Sequence, residues 1–279
     1  MIFRFKSRKR ARKALNLKIE KGLRNHYGEC LENFDVDKNL PQIGSDKIWI
    51  FWLQGIENAP DIVKRCVKSI SHHFPEKDIV ILDHKNYKQF VFFPDYIWKK
   101  HKEGKIPMAQ FSDLLRLELL ITYGGLWVDA TVFCSGRKLF EDIQSTPLFL
   151  FCAGKRKEDS STVAISNWLI YARSNNRLLL ATRMLLYEYW KQENYLKHYF
   201  LFHVFFAMVA NKYIEDWLEV PIHAKEPSHR LQSILLKRYD QAVWNEIVGA
   251  TSFHKLTYRL KLNDFAGTYY EKIINTVKS

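Results

Sequence analysis

Ala109-Gln-Phe-Ser-Asp-Leu-Leu-Arg-Leu-Glu-Leu-Leu-Ile-Thr-Tyr-Gly-Gly-Leu-Trp-Val-Asp129 reads as a helix, a stop and a strand in one unit. The helical part is apolar enough to be buried, and Gly124-Gly125 stops it by accepting positive backbone φ. Leu126-Trp127-Val128 then forms a short buried strand that delivers Asp129 at its end. Asp113 and Arg116 lie one turn apart on one helix face. A carboxylate that accepts and a guanidinium that donates suit neighbouring hydroxyls of a sugar. Asp129 falls beyond the carboxyl end of a strand, where open α/β sheets bind ligands. Alone, Asp113 and Arg116 would be an ordinary surface salt bridge. Ser112 before them, the buried flanking helix and Asp129 behind them turn the reading toward a site.

Upstream, Lys47-Ile-Trp-Ile-Phe-Trp-Leu53, closed by Gln54-Gly55, reads as the first strand of a buried sheet. Pro60-Asp61 opens a helix whose Ile62, Val63, Cys66, Ile70 and Phe74 keep helical spacing until Pro75, and Ile79 to Leu82 is a second strand. Strand, helix, strand predicts a right-handed parallel crossover. Pro94 to His101 reads as a short helix. Leu148 to Phe151 and Val163 to Ile165 read as later strands around the polar loop Gly154 to Ser161, and from about residue 172 the pattern is mostly helical and aromatic. No internal repeat interrupts this. The chain divides into a basic arm (1–24), an α/β core (45–170) and a mostly helical C-terminal portion (171–279) that completes the same domain.

Length, 279 residues, suffices for such a core without staples. The four cysteines, Cys30, Cys66, Cys134 and Cys152, form no C-x-x-C pair and no secretory signal accompanies them, so they read as reduced thiols. The longest apolar run, Tyr199 to Ala210, is interrupted by His203 and falls short of the roughly 20 residues of a membrane span. Of the net charge of +13, residues 1–24 hold +9: ten basic side chains against Glu20. Ala11, Leu15, Ile19 and Leu23 recur every fourth residue, giving a cationic helix with one apolar stripe that suits an anionic membrane surface. A solvated basic tail and a nucleic-acid arm are the competing readings of that segment.

Three further groups carry chemistry. Asp129 closes an apolar segment, where a carboxylate must meet a cation, donors or water. Mg²⁺ or Mn²⁺ bridging diphosphate oxygens is a natural partner, and a cap on the next turn is the plainer one. Trp49 and Trp52 lie three apart on one strand and face opposite sides; Trp49 suits the core, and Trp52, near the carboxyl end, can stack on a nucleobase. Phe253-His-Lys-Leu-Thr-Tyr258 places an imidazole and an ammonium together, and both can neutralise a diphosphate leaving group, while His254 can also ligate a metal. His72-His73 suits a helix C-terminus and carries no assigned role.

Together, Lys47 to Gly55, Phe111-Ser-Asp-Leu-Leu-Arg116, Gly124-Gly-Leu-Trp-Val-Asp-Ala-Thr131 and His254-Lys-Leu256 resemble the bacterial capsular polysaccharide synthesis glycosyltransferases. These are related to the DXD-containing sugar transferases that include the glucosylating clostridial toxins and yeast mannosyltransferases. The likeness is dense from residue 47 to about 135 and thinner to residue 258. It implies an α/β, Rossmann-like GT-A core, a nucleotide-diphospho-sugar donor such as a UDP-sugar, and transfer with retention to a saccharide acceptor, lipid-linked, in capsular or surface polysaccharide synthesis. Asp113 and Arg116 would grip the donor sugar, Asp129 would be the first Asp of the DXD motif, and Trp52 would stack on the base. The chain departs from that motif at Thr131, which offers a neutral hydroxyl where a second Asp is expected. A metal, Mn²⁺ or Mg²⁺, would then rest on Asp129 with help from another group such as His254. Metal, His254 and Lys255 are the expected leaving-group cations, and nucleic acid is not an expected partner. With the basic arm, the expected location is cytoplasmic, peripheral on the inner face of the cell membrane. A non-catalytic membrane-associated binder of sugar nucleotides or glycans is the alternative, since a fold does not prove an activity.

Overall fold

The computed structural model describes residues 2–152, 165–261 and 265–276, with side chains described from residue 14 onward. In chain order the elements are α1 (Ile2–Glu32), β1 (Lys47–Phe51), α2 (Asp61–His73), β2 (Asp78–Leu82), α3 (Asp95–Lys102), α4 (Met108–Tyr123), β3 (Gly125–Val128) and β4 (Val132–Cys134). They continue as α5 (Phe140–Gln144), β5 (Leu148–Cys152), β6 (Ile165–Ala172), α6 (Arg177–Gln192), α7 (Leu201–Lys212) and α8 (Ile214–Glu219). The last are α9 (Glu226–Ile234), α10 (Gln241–Ala250), β7 (Phe253–Lys255) and α11 (Tyr269–Asn275). Two short 3₁₀ turns, at Ile56–Asn58 and Tyr87–Gln89, link the early elements.

The expected βαβ unit forms: β1 pairs in parallel with β2, in register from Lys47 opposite Asp78 to Phe51 opposite Leu82. The central sheet runs β2-β1-β3-β6-β5. β3 is parallel to β1, while β6 is antiparallel to both β3 and β5, so four strands point one way and β6 runs against them. The sheet is mixed α/β, with apolar residues on both faces as helix-covered strands require. One core lies between the sheet and α1, α4, α6 and α7, around Trp49, Phe111, Trp127 and Phe205; a second lies beneath α2, α9 and α10, around Ile50, Val63, Phe149 and Ile247.

The Gly124-Gly125 stop has a stricter cause than capping. Both residues have positive φ, 68° and 100°. A Cβ on Gly125 would stand 2.4 Å from the Lys47 carbonyl oxygen, so the close pairing of β3 with β1 requires glycine there. Trp49 is fully buried and donates its indole N–H to the Gly124 carbonyl at 2.9 Å, which ties the same corner to the core.

Two readings change. The strand expected at Val163 to Ile165 is β6, which runs from Ile165 to Ala172, and residues 163 and 164 lie outside the described residues, as does the loop 154–161. The helix of the basic arm continues past residue 24 to Glu32, with Leu23, Tyr27 and Leu31 buried against α6 and α7. Leu15, of the every-fourth stripe, is exposed. A repeat of four drifts about 40° per step around a helix of 3.6 residues per turn, so between Leu23 and Leu15 the stripe leaves the buried face, and Ala11 lies outside the described side chains. No helix among the described residues is long and apolar enough to cross a membrane.

Candidate functional site

A cleft of about 1620 Å³ opens along the carboxyl ends of β1 and β3. Because β6 is antiparallel, its first residues reach the same edge, so Ser166 and Asn167 line the cleft beside Asp129. The Asp129 amide donates to the Trp168 carbonyl at 2.8 Å, which fixes that juxtaposition. From below, α4 supplies Ser112, Asp113 and Arg116.

Asp113 and Arg116 are 5% and 4% exposed, too buried for a surface salt bridge. The Arg116 guanidinium ion-pairs with Asp113 through Nη1 and donates through Nη2 to Ser112 Oγ and Asp129 Oδ1, both at 3.3 Å. It stacks 5.0 Å from the centre of the Trp127 ring. Asn167 Nδ2 donates to Asp113 Oδ1 at 2.8 Å, so the carboxylate is held from two elements. Burial lowers the Arg116 pKa, opposed by Asp129. Burial alone would raise the Asp129 carboxyl, but Lys255 and Arg116, with hydrogen bonds from Lys255 and Trp127, outweigh it and hold the group below its ordinary value. The result is a preorganised array of donors and acceptors on the floor of the cleft.

Lys255 and His254 part company. β7 pairs antiparallel with β4, Lys255 opposite Val132, and side chains on a strand alternate. Lys255 therefore enters the cleft, where its Nζ lies 2.6 Å from Asp129 Oδ2 and 2.8 Å from Thr131 Oγ1. His254 turns to the other face, fully buried, sharing a 2.8 Å hydrogen bond with the Ser135 hydroxyl. Burial pushes its imidazole down to about 4, so the ring is neutral near neutral pH. The expectation that His254 ligates a metal with Asp129 or faces a leaving group is thus corrected by strand alternation.

The residues at Asp129 do not fit a divalent cation. Asp129 Oδ1 accepts from Trp127 Nε1 at 2.9 Å and from Arg116, and Oδ2 is taken by Lys255. Among the described residues no group of three or more His, Cys, Asp or Glu side chains could hold a metal.

Trp52 stands just past β1 on the cleft wall, its ring edge-on to Tyr258 at 5.2 Å between centres. Lys225 and Arg259 also line the cleft, and neither has a carboxylate partner among the described residues. At the far end, Leu17 and Glu20 of α1 meet Met108, Gln110, Phe200 and His203. Glu20 Oε2, Gln110 Oε1 and His203 Nδ1 are buried there without hydrogen-bond partners among the described residues. Burial, reinforced by Arg116, Lys225 and His198, pushes the His203 imidazole down to about 4.

Asn167, Lys225 and Arg259 were given no role in the sequence, and His203 was read only as an interruption of an apolar run. The signal for Asn167 was present: a polar Ser166-Asn167 pair at the head of the apolar run Trp168-Leu-Ile-Tyr171. A strand with one polar end at the ligand edge looks that way.

Fold and site together define an α/β protein with a charged cleft on the carboxyl edge of its sheet. The chain belongs to the capsular polysaccharide synthesis protein family, whose profile matches residues 1–273. It is 27% identical over 148 residues to the O-glycosyltransferase braB of Annulohypoxylon truncatum, covering 50% of this chain and 33% of that protein. It is 29% identical over 119 residues to the glycosyltransferase afumC of Aspergillus fumigatus, covering 39% of this chain and 30% of that protein. The matched stretch thus spans about a third of the length of each of these curated relatives. A solved structure described as PaToxG Glycosyltransferase covers 90% of this chain and 96% of its own at 15% identity, with a TM-score of 0.40.

Proposed function

We propose that this protein is a glycosyltransferase with a GT-A core that moves a sugar from a nucleotide-diphospho-sugar, a UDP-sugar, to a saccharide acceptor with retention of configuration. The observation that carries the reading is the Asp113–Arg116–Asn167–Asp129 network, its ion pair buried and its Asn167 and Asp129 half-buried, at the carboxyl edge of the sheet. The names of the two fungal relatives support the glycosyltransferase part of the reading. Asp113 accepts from hydroxyls of the donor sugar and Arg116 donates to them, fixing the reacting carbon. Trp52, with Tyr258 beside it, offers a stacking face to the base. As the sugar–phosphate bond breaks, negative charge grows on the diphosphate. Lys225, Lys255 and Arg259 supply cations along the wall where that charge develops.

The acceptor enters from the α1 side. Leu17, Met108, Tyr199 and Phe200, all exposed, give that end an apolar rim around the unpartnered Glu20 and Gln110 oxygens. An apolar rim over polar groups suits a saccharide carried on a lipid or other apolar group. The cationic helix α1 beside it would hold the protein peripherally on an anionic membrane face.

A panel of nucleotide sugars, read as release of the nucleotide diphosphate with a lipid-linked saccharide mixture, tests the reading. One donor should be turned over with acceptor-dependent stimulation, and the anomeric signal of the product should match the donor's. Tight binding of a nucleotide sugar with no release under any condition would identify a binding protein instead.

A further inference from the structure

We infer that the Lys255 ammonium takes the place of a divalent cation in this cleft, so that the nucleotide-diphospho-sugar binds and reacts without metal: the anomeric C–O bond to the diphosphate breaks, one to the acceptor hydroxyl oxygen forms, and that hydroxyl's proton passes to the departing diphosphate. The inference rests on the glycosyltransferase reading and concerns the chemistry of its leaving-group site.

Placement is the first ground. The β4–β7 ladder and the 2.9 Å hydrogen bond from the Leu256 amide to the Thr131 carbonyl fix Lys255 across from the Asp129–Thr131 segment. Nζ then sits between Asp129 Oδ2 and Thr131 Oγ1, facing the cleft. That is where an ion bridging positions 129 and 131 to a diphosphate would stand. An ammonium has three N–H donors, and two are used by Asp129 and Thr131. The third is available to a phosphate oxygen.

Charge is the second ground. Two carboxylates with one divalent cation sum to zero, and one carboxylate with one ammonium does the same. The neutral Thr131 and the cationic Lys255 are therefore a matched pair: each makes sense of the other. A second carboxylate at 131 without a metal would leave a surplus negative charge facing an anionic ligand. A divalent ion in the present cleft would meet Lys255 and Arg116, each already bonded to the one carboxylate.

Coordination is the third ground. Mg²⁺ takes octahedral oxygen ligands at roughly 2.0–2.1 Å. Here the protein offers one carboxylate with both oxygens engaged and one hydroxyl that accepts from Lys255. Seating the ion means displacing Lys255 first.

The test uses the purified full chain, UDP as the probe, and Mn²⁺ followed by electron paramagnetic resonance. UDP binding by calorimetry should be within about twofold in EDTA and in Mn²⁺, and Mn²⁺ alone should show no stoichiometric protein-bound signal. Lys255→Ala should weaken UDP binding and, with a cognate donor, lower turnover by about a hundredfold in EDTA, the scale for losing one charge-stabilising group. Lys255→Arg should keep part of both. The double variant Lys255→Ala with Thr131→Asp should bind Mn²⁺ and recover turnover only when Mn²⁺ is added. Circular dichroism on each variant separates a lost site from a lost fold. Stoichiometric Mn²⁺ binding to the unaltered chain that disappears in Asp129→Ala would overturn the inference, as would UDP binding that requires Mn²⁺. If no donor in the panel is turned over, the functional reading fails, while the UDP and Mn²⁺ arms still decide the role of Lys255.

Discussion

Asp113 holds two partners, and the two can be removed separately. Asp113→Asn leaves the shape but removes the charge facing Arg116 and the ligand. A hydrogen bond to a charged group contributes about 1.5–3 kcal/mol, so turnover should fall at least tenfold, and the melting temperature should drop slightly because Arg116 keeps Asp129. Asn167→Ala removes only the 2.8 Å bond that orients Asp113; that bond is also to a charged group, so the melting temperature should drop slightly, but its loss reaches the ligand only through the orientation of Asp113, and turnover should fall less than in Asp113→Asn. Steady-state kinetics on both variants check the ranking; equal losses would mean that Asn167 touches the ligand itself. Histidine gives a second residue-scale prediction. His254 and His203 are pushed down to about 4, whereas in the unfolded chain each titrates near 6.5. Between those values the unfolded chain binds more protons, so stability is full above about pH 6.5 and declines as pH falls toward 4, by on the order of 3 kcal/mol per histidine at the acid end. Urea unfolding from pH 7 to pH 4 should show that decline, and His254→Gln should reduce the slope by about one proton. Asp113, Arg116 and Asp129 were legible because chemistry and spacing coincide in one short stretch. The divergence of His254 from Lys255 was not, because two adjacent residues reveal which faces a cleft only once a pairing strand is known.

At the level of elements, legibility followed hydrophobic period and length. β1, α2 and β2 could be read because an apolar run, a helical repeat and a second run follow in order, and they pair as expected. β4 and β7 have three residues each, too few for any period to emerge. β6 was misplaced because its polar head, Ser166-Asn167, belongs to the cleft and so breaks the apolar pattern at its ligand end. Gly125 shows how strictly one element can depend on one residue. With φ at 100° and the Lys47 carbonyl 2.4 Å from the missing Cβ, Gly125→Ala forces β3 away from β1. Backbone strain of this kind costs on the order of 1–3 kcal/mol before the clash is added, which should lower the melting temperature by roughly 5–10 °C. Because Asp129 rides on β3, turnover should fall as well. A calorimetric scan superimposable on the parent's would show that the corner relaxes without cost.

For the whole molecule, α1 joins a packed segment to the cationic segment proposed above to meet a membrane, which the sequence had placed in one arm. Its later turns are structural: Leu23, Tyr27 and Leu31 are in the core, and Glu20 lies 3.4 Å from His198 beside the cleft. Residues 1–13 carry seven of the ten basic side chains of the first 24 and no acidic one. Two truncations therefore separate attachment from stability. Removing residues 1–13 should leave the melting temperature and hydrolysis of the donor unchanged, yet release the protein from vesicles rich in phosphatidylserine. Each basic residue near an anionic leaflet contributes roughly 1 kcal/mol, screened over about a Debye length, so binding by the full chain should weaken steeply with salt. Removing residues 1–24 takes away Leu23 and the cleft wall formed by Leu17 and Glu20, and should lower both stability and acceptor use. Deleting a buried leucine alone costs about 2–5 kcal/mol. Vesicle flotation at low and high salt, with melts on the same samples, reads all of these. Equal flotation of the full chain and the 1–13 truncation would place the membrane contact elsewhere, on the exposed Leu17, Met108, Tyr199 and Phe200 rim, and Phe200→Ser would then be the variant to float.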